Sequence, residues 1–171
     1  MRSGGGPTPP LRRRLASLVY ESLLLFGLGL VPGALGALFV AQTGHAHWAQ
    51  SDTALRVYAL FFYAIYFVWF WSARGQTLAM QTWRIAVQRA DGMRITELRA
   101  VGRFAAACAA WFAAPVALAS ALALQPGPTL GLVVAWGIVY ALSSRLAPDR
   151  QFWHDRIAGT RLVDLRGAGS A

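Results

Sequence analysis

The 171-residue chain contains no lysine, a single cysteine and only seven acidic residues against sixteen arginines. Charged residues make up 13% of it and the hydrophobic set 56%, with a mean hydropathy of +0.43. A soluble domain carries about 25% charged residues. Half that charge cannot coat a globular surface, so an ordinary soluble enzyme is all but excluded. Disorder is excluded by the same composition, because disordered chains are poor in apolar and aromatic residues. The lone Cys108 cannot form an intrachain disulfide, and in its Ala-rich apolar run it reads as a small packing residue. What is left is an integral membrane protein of one domain's length.

The formal charge of +9 is carried by arginines that flank apolar runs. That is the pattern of membrane orientation and not of a folded nucleic-acid face, so the expected partner is the lipid bilayer. Residues 1–10 are rich in glycine and proline and read as a flexible tail. Arg12, Arg13 and Arg14 then precede an apolar stretch over about 15–41. It resembles a signal peptide in outline, but signal cores run about 7–15 residues, and this one is long enough to span. Further spans are predicted over about 55–72, 104–124 and 129–146, the second densely aromatic and ending at Trp69 and Trp71, where amphipathic rings favour the headgroup level.

Nearly all the arginines lie before the first span, between the second and third, and after the fourth, while the loops on the other side contain only Arg56. Both termini and the middle loop are therefore expected in the cytoplasm. In that loop Trp83–Arg89 alternates apolar and polar residues, Ala90-Asp91-Gly92 supplies a turn, and Met93–Thr96 alternates again, which is a hairpin pattern. Gly159–Leu165 alternates as well and could add a third strand. The predicted fold is all-α transmembrane, a four-helix membrane bundle with a small cytoplasmic β hairpin or sheet. The membrane domain covers 11–165, and 166–171 form a C-terminal tail.

Glu21 is the only acidic residue inside a predicted span. It follows Arg14 by seven residues, nearly two helical turns and roughly 10 Å, so both project from one face. A carboxylate there costs about 2.5 kcal/mol or more, which points to a paired or functional group. Three readings stay open: an ion pair with an arginine from another element, such as Arg145 or Arg156; proton and ion handling; or an unpaired, protonated passenger. A direct bond to Arg14 looks strained, because Glu21 leans toward the N-terminus while Arg14 snorkels to water. Asp155, with His154 and Arg156 beside it, could cap its segment, accept from Arg14 across the bundle, or be a solvated loop acid; His154 beside it suggests a proton relay. His45-x-His47 has too few companions for a metal site. Gly29 and Gly33 around Pro32 suggest a close helix contact or a kink. No phosphate loop, nucleophile elbow or metalloprotease motif is present.

At these residues the sequence resembles the RDD family of small bacterial membrane proteins. Arg14-Leu15-Ala16-Ser17-Leu18-Val19-Tyr20-Glu21 is similar to its first motif. Gly75-Gln76-Thr77-Leu78 with Trp83-Arg84-Ile85 and Asp91-Gly92 is similar to its central loop, and Trp153-His154-Asp155-Arg156-Ile157-Ala158-Gly159-Thr160 to its closing motif. Glu21 stands where the family usually has aspartate, and Ala79-Met80 where it commonly has Gly-Lys. The resemblance implies Arg14, Glu21 and Asp155 as motif residues, with Gly75 and Thr77 in support. It also implies sodium/proton exchange, described for some members. The expectation is a bacterial inner-membrane protein without an enzymatic site or cofactor, moving cations or protons as a homo-oligomer. The alternative is a non-transporting scaffold or accessory subunit that binds a membrane-protein partner through its cytoplasmic face.

Overall fold

A computed structural model describes residues 6–44 and 52–166. Four helices are long and apolar enough to cross a membrane: α1 (Leu11–Thr43), α2 (Asp52–Arg74), α4 (Glu97–Ala121) and α5 (Pro126–Ser143). Two short helices, α3 (Leu78–Thr82) and α6 (Trp153–Ile157), and the strands β1 (Ile85–Arg89) and β2 (Thr160–Asp164) close one end of the bundle.

The helix ends follow local chemistry more than the hydropathy envelope. Pro10 in extended conformation starts α1, so Arg12–Arg14 fall inside its first turn. The third span starts seven residues earlier than 104, because Thr96 accepts from the Arg99 N–H and caps an arginine-bearing turn. Glycines in the left-handed region end three segments: Gly44 after α1, Gly75 after α2 and Gly159 before β2. Within α4 a π turn over Ala109–Ala113 precedes Pro115, which lacks an N–H and would crowd the carbonyl four residues back. The Trp136 indole donates to the Ala110 carbonyl at 2.9 Å, using an acceptor at that widened turn.

The sheet differs from the hairpin expected over residues 83–96. β1 pairs antiparallel with β2, in the register Ile85↔Asp164, Val87↔Leu162 and Arg89↔Thr160. After the Asp91-Gly92 turn a single backbone bond, Arg89 N–H to Met93 O at 2.9 Å, is made. The chain then leaves, because Ile95 enters the core and Thr96 must cap α4. β2 offers more: consecutive Leu162 and Val163 are buried, as are Ile85, Ala86 and Val87, so both faces of the ribbon are covered. The tail expected over residues 1–10 is, across 6–10, bound to this cap. Asp164 N–H donates to Pro7 O, Arg161 to Gly6 O and Gln151 to Thr8 Oγ1, and Pro9 is fully buried.

The core sits where helices meet cap. Leu11, Trp71, Met80, Ile85, Val87, Ile95, Tyr140, Phe152 and Leu162 form one cluster. Away from it the helices present large apolar side chains outward, among them Phe26, Leu30, Phe61, Leu130 and Val139. In water such a surface would aggregate; in hydrocarbon it is solvated.

Candidate functional site: a buried charge cluster at the capped end

The site grows from α1. Arg13, Arg14, Ser17 and Glu21 are all buried, whereas Arg12 is exposed. Ser17 bridges the spacing, since three and four residues carry a helix back to the same face. Arg13 and Arg14 nonetheless do different work. Arg13 pairs with Asp164 of β2 and donates to the Trp83 carbonyl, so it fastens the start of α1 to the sheet. Arg14 turns inward, with its guanidinium 4.4 Å over the Phe152 ring and Nη2 3.4 Å from Ser144 Oγ. Its Nε and Nη1 have no hydrogen-bond partner among the described residues.

Glu21 is held by hydroxyls. Tyr66 of α2 donates to Oε1 at 2.6 Å and Thr77 donates to Oε2. Thr77 is placed by the loop it starts: Gly75, at φ +70°, gives its carbonyl to Val87 N–H at 2.7 Å, and Gln76 donates to Ile85 O. Thr77 Oγ1 in turn accepts from Met80 N–H and caps α3. The central-loop motif is thus a clip that sets one hydroxyl against Glu21. No arginine bonds Glu21 among the described residues; Arg145 and Arg156 are exposed, and Arg156 lies 3.7 Å from Asp149.

Asp155, fully buried, takes its charge partner from α4. Arg103 Nε and Nη2 both reach Oδ1 at 2.8 Å, with the guanidinium 4.1 Å over the Trp71 ring. Thr160 adds a bond at 3.4 Å, and Oδ2 has no partner among the described residues. His154 stacks on Phe152, and Nδ1 lies 2.9 Å from the Tyr140 hydroxyl. Burial pushes the imidazole down to about 4; the Asp155 charge opposes this, and Arg103 and Arg14 reinforce it. It is therefore neutral near pH 7.

These groups line one small pocket. A cavity of about 70 Å³ is lined by Arg14, Glu21, Thr77, Arg103, Phe152 and His154, with apolar side chains around them. The structure thus brings Arg14, Glu21, Thr77 and His154 together, with Asp155 behind Arg103. It leaves Arg145 and Arg156 at the surface. Gly29 lies close to Tyr63, whose hydroxyl is 2.9 Å from the place of a Cβ, whereas Gly33 faces open space. His45 and His47 lie outside the described residues.

Several contributors carried no mark in the sequence. Arg103 looked like one more flanking arginine, and Tyr66 like one more ring in an aromatic span. Gln151 is 2% exposed and clips Leu162 through both its N–H and its carbonyl. One signal was available: Arg103 follows Ala100 by three residues and so shares its helix face, which is the buried one.

Four apolar helices, capped at the arginine-bearing end by a two-stranded sheet and a buried charge cluster, define a multi-pass membrane protein. No curated protein and no solved structure matches the chain. The profile of the RDD family matches residues 8–159, nearly the whole of it, and the chain belongs to the RDD family.

Proposed function

We propose that this protein is a proton-linked cation transporter of a bacterial inner membrane, acting as a homo-oligomer, with Glu21 as the group that carries the proton. One observation supports this reading above the others. Glu21 is buried against a cavity and bonded by two hydroxyls, with no arginine pairing it among the described residues. A hydroxyl donates to a carboxylate and accepts from a carboxylic acid equally well. Tyr66 and Thr77 can therefore hold Glu21 in either protonation state by turning their O–H bonds. An arginine partner would have locked the charge in place, because unpairing it in this setting is expensive.

The arginine distribution supports a capped end and both termini on the cytoplasmic side, and in this reading Glu21 exchanges protons from there. Beyond Glu21 the helices offer mainly apolar and small side chains, and a continuous path requires several copies around a common axis. In this reading the protein moves ions and is not an enzyme.

Reconstituted wild-type protein is expected to couple proton movement to a sodium or potassium gradient. Glu21→Gln is expected to keep the fold and abolish the flux, measured with a pH-sensitive dye inside liposomes. Flux of equal size in Glu21→Gln overturns the proposal. Reporter domains fused at both ends should read the cytoplasmic side.

A second reading rests on a different observation. Met93, Leu98, Leu146 and Ile157 on the capped end are exposed by 61%, 82%, 86% and 76%. Such residues suit a partner membrane protein, and a scaffold or accessory role would leave the liposomes silent while a defined partner co-purifies in fixed stoichiometry.

A further inference from the structure

The outward face of α6 carries side chains that the buried charge cluster does not use. His154 and Asp155 are buried, while Trp153, Arg156 and Ile157 stand at positions i, i+3 and i+4 and are exposed together. The Trp153 indole donates to Ser143 Oγ at 3.1 Å, which sets this face against the last residue of α5. Arg145 and Leu146 follow Ser143 by two and three residues in the turn that ends this span, and both are exposed. Two cations, one indole and two bulky aliphatic side chains are thus gathered where α5 leaves the apolar layer.

The two arginines have donors to spare. The Arg145 side chain makes no hydrogen bond or ion pair among the described residues. Arg156 lies 5.2 Å over the Trp153 ring and reaches Asp149 through Nε alone, at 3.7 Å, with both partners exposed. An exposed pair at that distance is worth little. The surrounding field is positive: every described arginine except Arg56 lies at the capped end, and among the described residues acids pair only Arg13, Arg89, Arg103 and Arg156 of them.

The mixture of chemistries selects the occupant. A soluble anion would use the arginines and leave Leu146 and Ile157 in water. An apolar protein face would cover those side chains and bury two guanidiniums without acceptors, which is costly. An anionic phospholipid answers both needs. Aliphatic side chains dip into the acyl layer while neighbouring arginines snorkel to the headgroup, and indoles favour the boundary between them.

We propose that the outward face of α6 and the turn after α5 form a binding site for an anionic phospholipid, with Arg145 and Arg156 on its phosphate and its acyl chains over Leu146 and Ile157. The guanidinium fork matches phosphate oxygens in paired, charge-assisted bonds. The site does not involve Glu21 and stands apart from the transport reading. The inner side of the same short helix holds His154 and Asp155, so an occupied site steadies the cap and the Arg103–Asp155 pair with it.

The test titrates the full chain in dodecyl maltoside with dioleoylphosphatidylglycerol or dioleoylphosphatidylcholine and follows the thermal unfolding midpoint. The anionic lipid is expected to raise the midpoint saturably, as a ligand of the folded state does, and the zwitterionic lipid to leave it nearly unchanged. Arg145→Gln and Arg156→Gln should each weaken the apparent affinity about fivefold, and the pair about thirtyfold. Arg12→Gln/Arg74→Gln removes as much charge from exposed positions on α1 and α2, and should keep the wild-type response. Dibrominated phosphatidylglycerol should quench tryptophan fluorescence more than dibrominated phosphatidylcholine, and this excess should fall in Trp153→Phe.

Equal shifts from the two lipids, or a full response in Arg145→Gln/Arg156→Gln, overturns the inference. So does an equal loss in Arg12→Gln/Arg74→Gln, which would replace the site by a diffuse ring of charge. A shift matched by glycerol 3-phosphate would assign the arginines to a soluble anion. Indifference to lipid, with a co-purifying protein released by Leu146→Glu, would assign the face to that partner. Either result overturns the lipid site.

Discussion

Replacing Asp155 by asparagine removes one negative charge from a fully buried position while preserving the shape of the side chain. Arg103, 5% exposed and bonded to Asp155 Oδ1 through two nitrogens at 2.8 Å, is then left as a buried guanidinium facing a neutral amide. Arg14, which also feels Asp155, loses part of its compensation. Breaking a buried pair by removing one member costs about 3–5 kcal/mol, most of it the uncompensated charge left behind. For a chain of this length each kcal/mol moves the unfolding midpoint by about 2–4 °C. Asp155→Asn should therefore lower the midpoint in detergent by roughly 6–20 °C, followed by tryptophan fluorescence. Trp71 lies under Arg103 and should report the change directly. The double variant Asp155→Asn/Arg103→Met removes both charges, and should recover a good part of the loss, leaving a coupling of about 2 kcal/mol in the four-variant cycle. A midpoint for Asp155→Asn within about 2 °C of wild type, or strict additivity of the two changes, would refute the reasoning.

Protonation of His154 supplies a second check. Its native value near 4 lies below the unfolded value of 6.5, so between those limits the unfolded chain binds a proton that the native chain refuses. Stability therefore falls as pH drops from 6.5 toward 4, by up to about 3 kcal/mol. His154→Gln should flatten that part of the midpoint-versus-pH curve, and parallel curves would contradict a neutral buried imidazole. Gly75→Ala places a Cβ at φ +70° and 3.1 Å from the Val87 carbonyl; it should cost about 1–3 kcal/mol and loosen the clip that holds Thr77, read as a lower midpoint. Gly33→Ala meets nothing within 4 Å, and should be neutral or stabilising by up to about 1 kcal/mol, read the same way.

Much of the architecture was legible because hydrocarbon solvent imposes a simple rule. A backbone without water must satisfy its own hydrogen bonds, so an apolar run of sufficient length becomes a helix almost regardless of detail. Four spans followed from that rule; their ends moved by two to seven residues, the largest shift falling where Thr96 caps α4. The strand over 85–89 was readable from alternation, but its partner was not. Met93–Thr96 and Gly159–Leu165 alternate equally well, and the choice between them turned on Ile95 entering the core and on Leu162 and Val163 being buried together.

The charge cluster divides in the same way. Glu21 could be picked out because a lone acid in an apolar span is costly wherever it points. Its companions could not, because Tyr66 among many aromatic residues and Arg103 among many arginines differ from their neighbours only in direction. Sequence alone determined that this chain lives in a bilayer, that it crosses four times, and that one of its acids is out of place; these are consequences of solvent and length, summed over many residues. Only the tertiary structure decided that Glu21 is held by hydroxyls, that Arg103 answers Asp155, and that Arg14 is left with open donors. Those are matters of which side chains meet across 45 to 130 positions of chain, and a contact at that separation leaves no periodic trace along it.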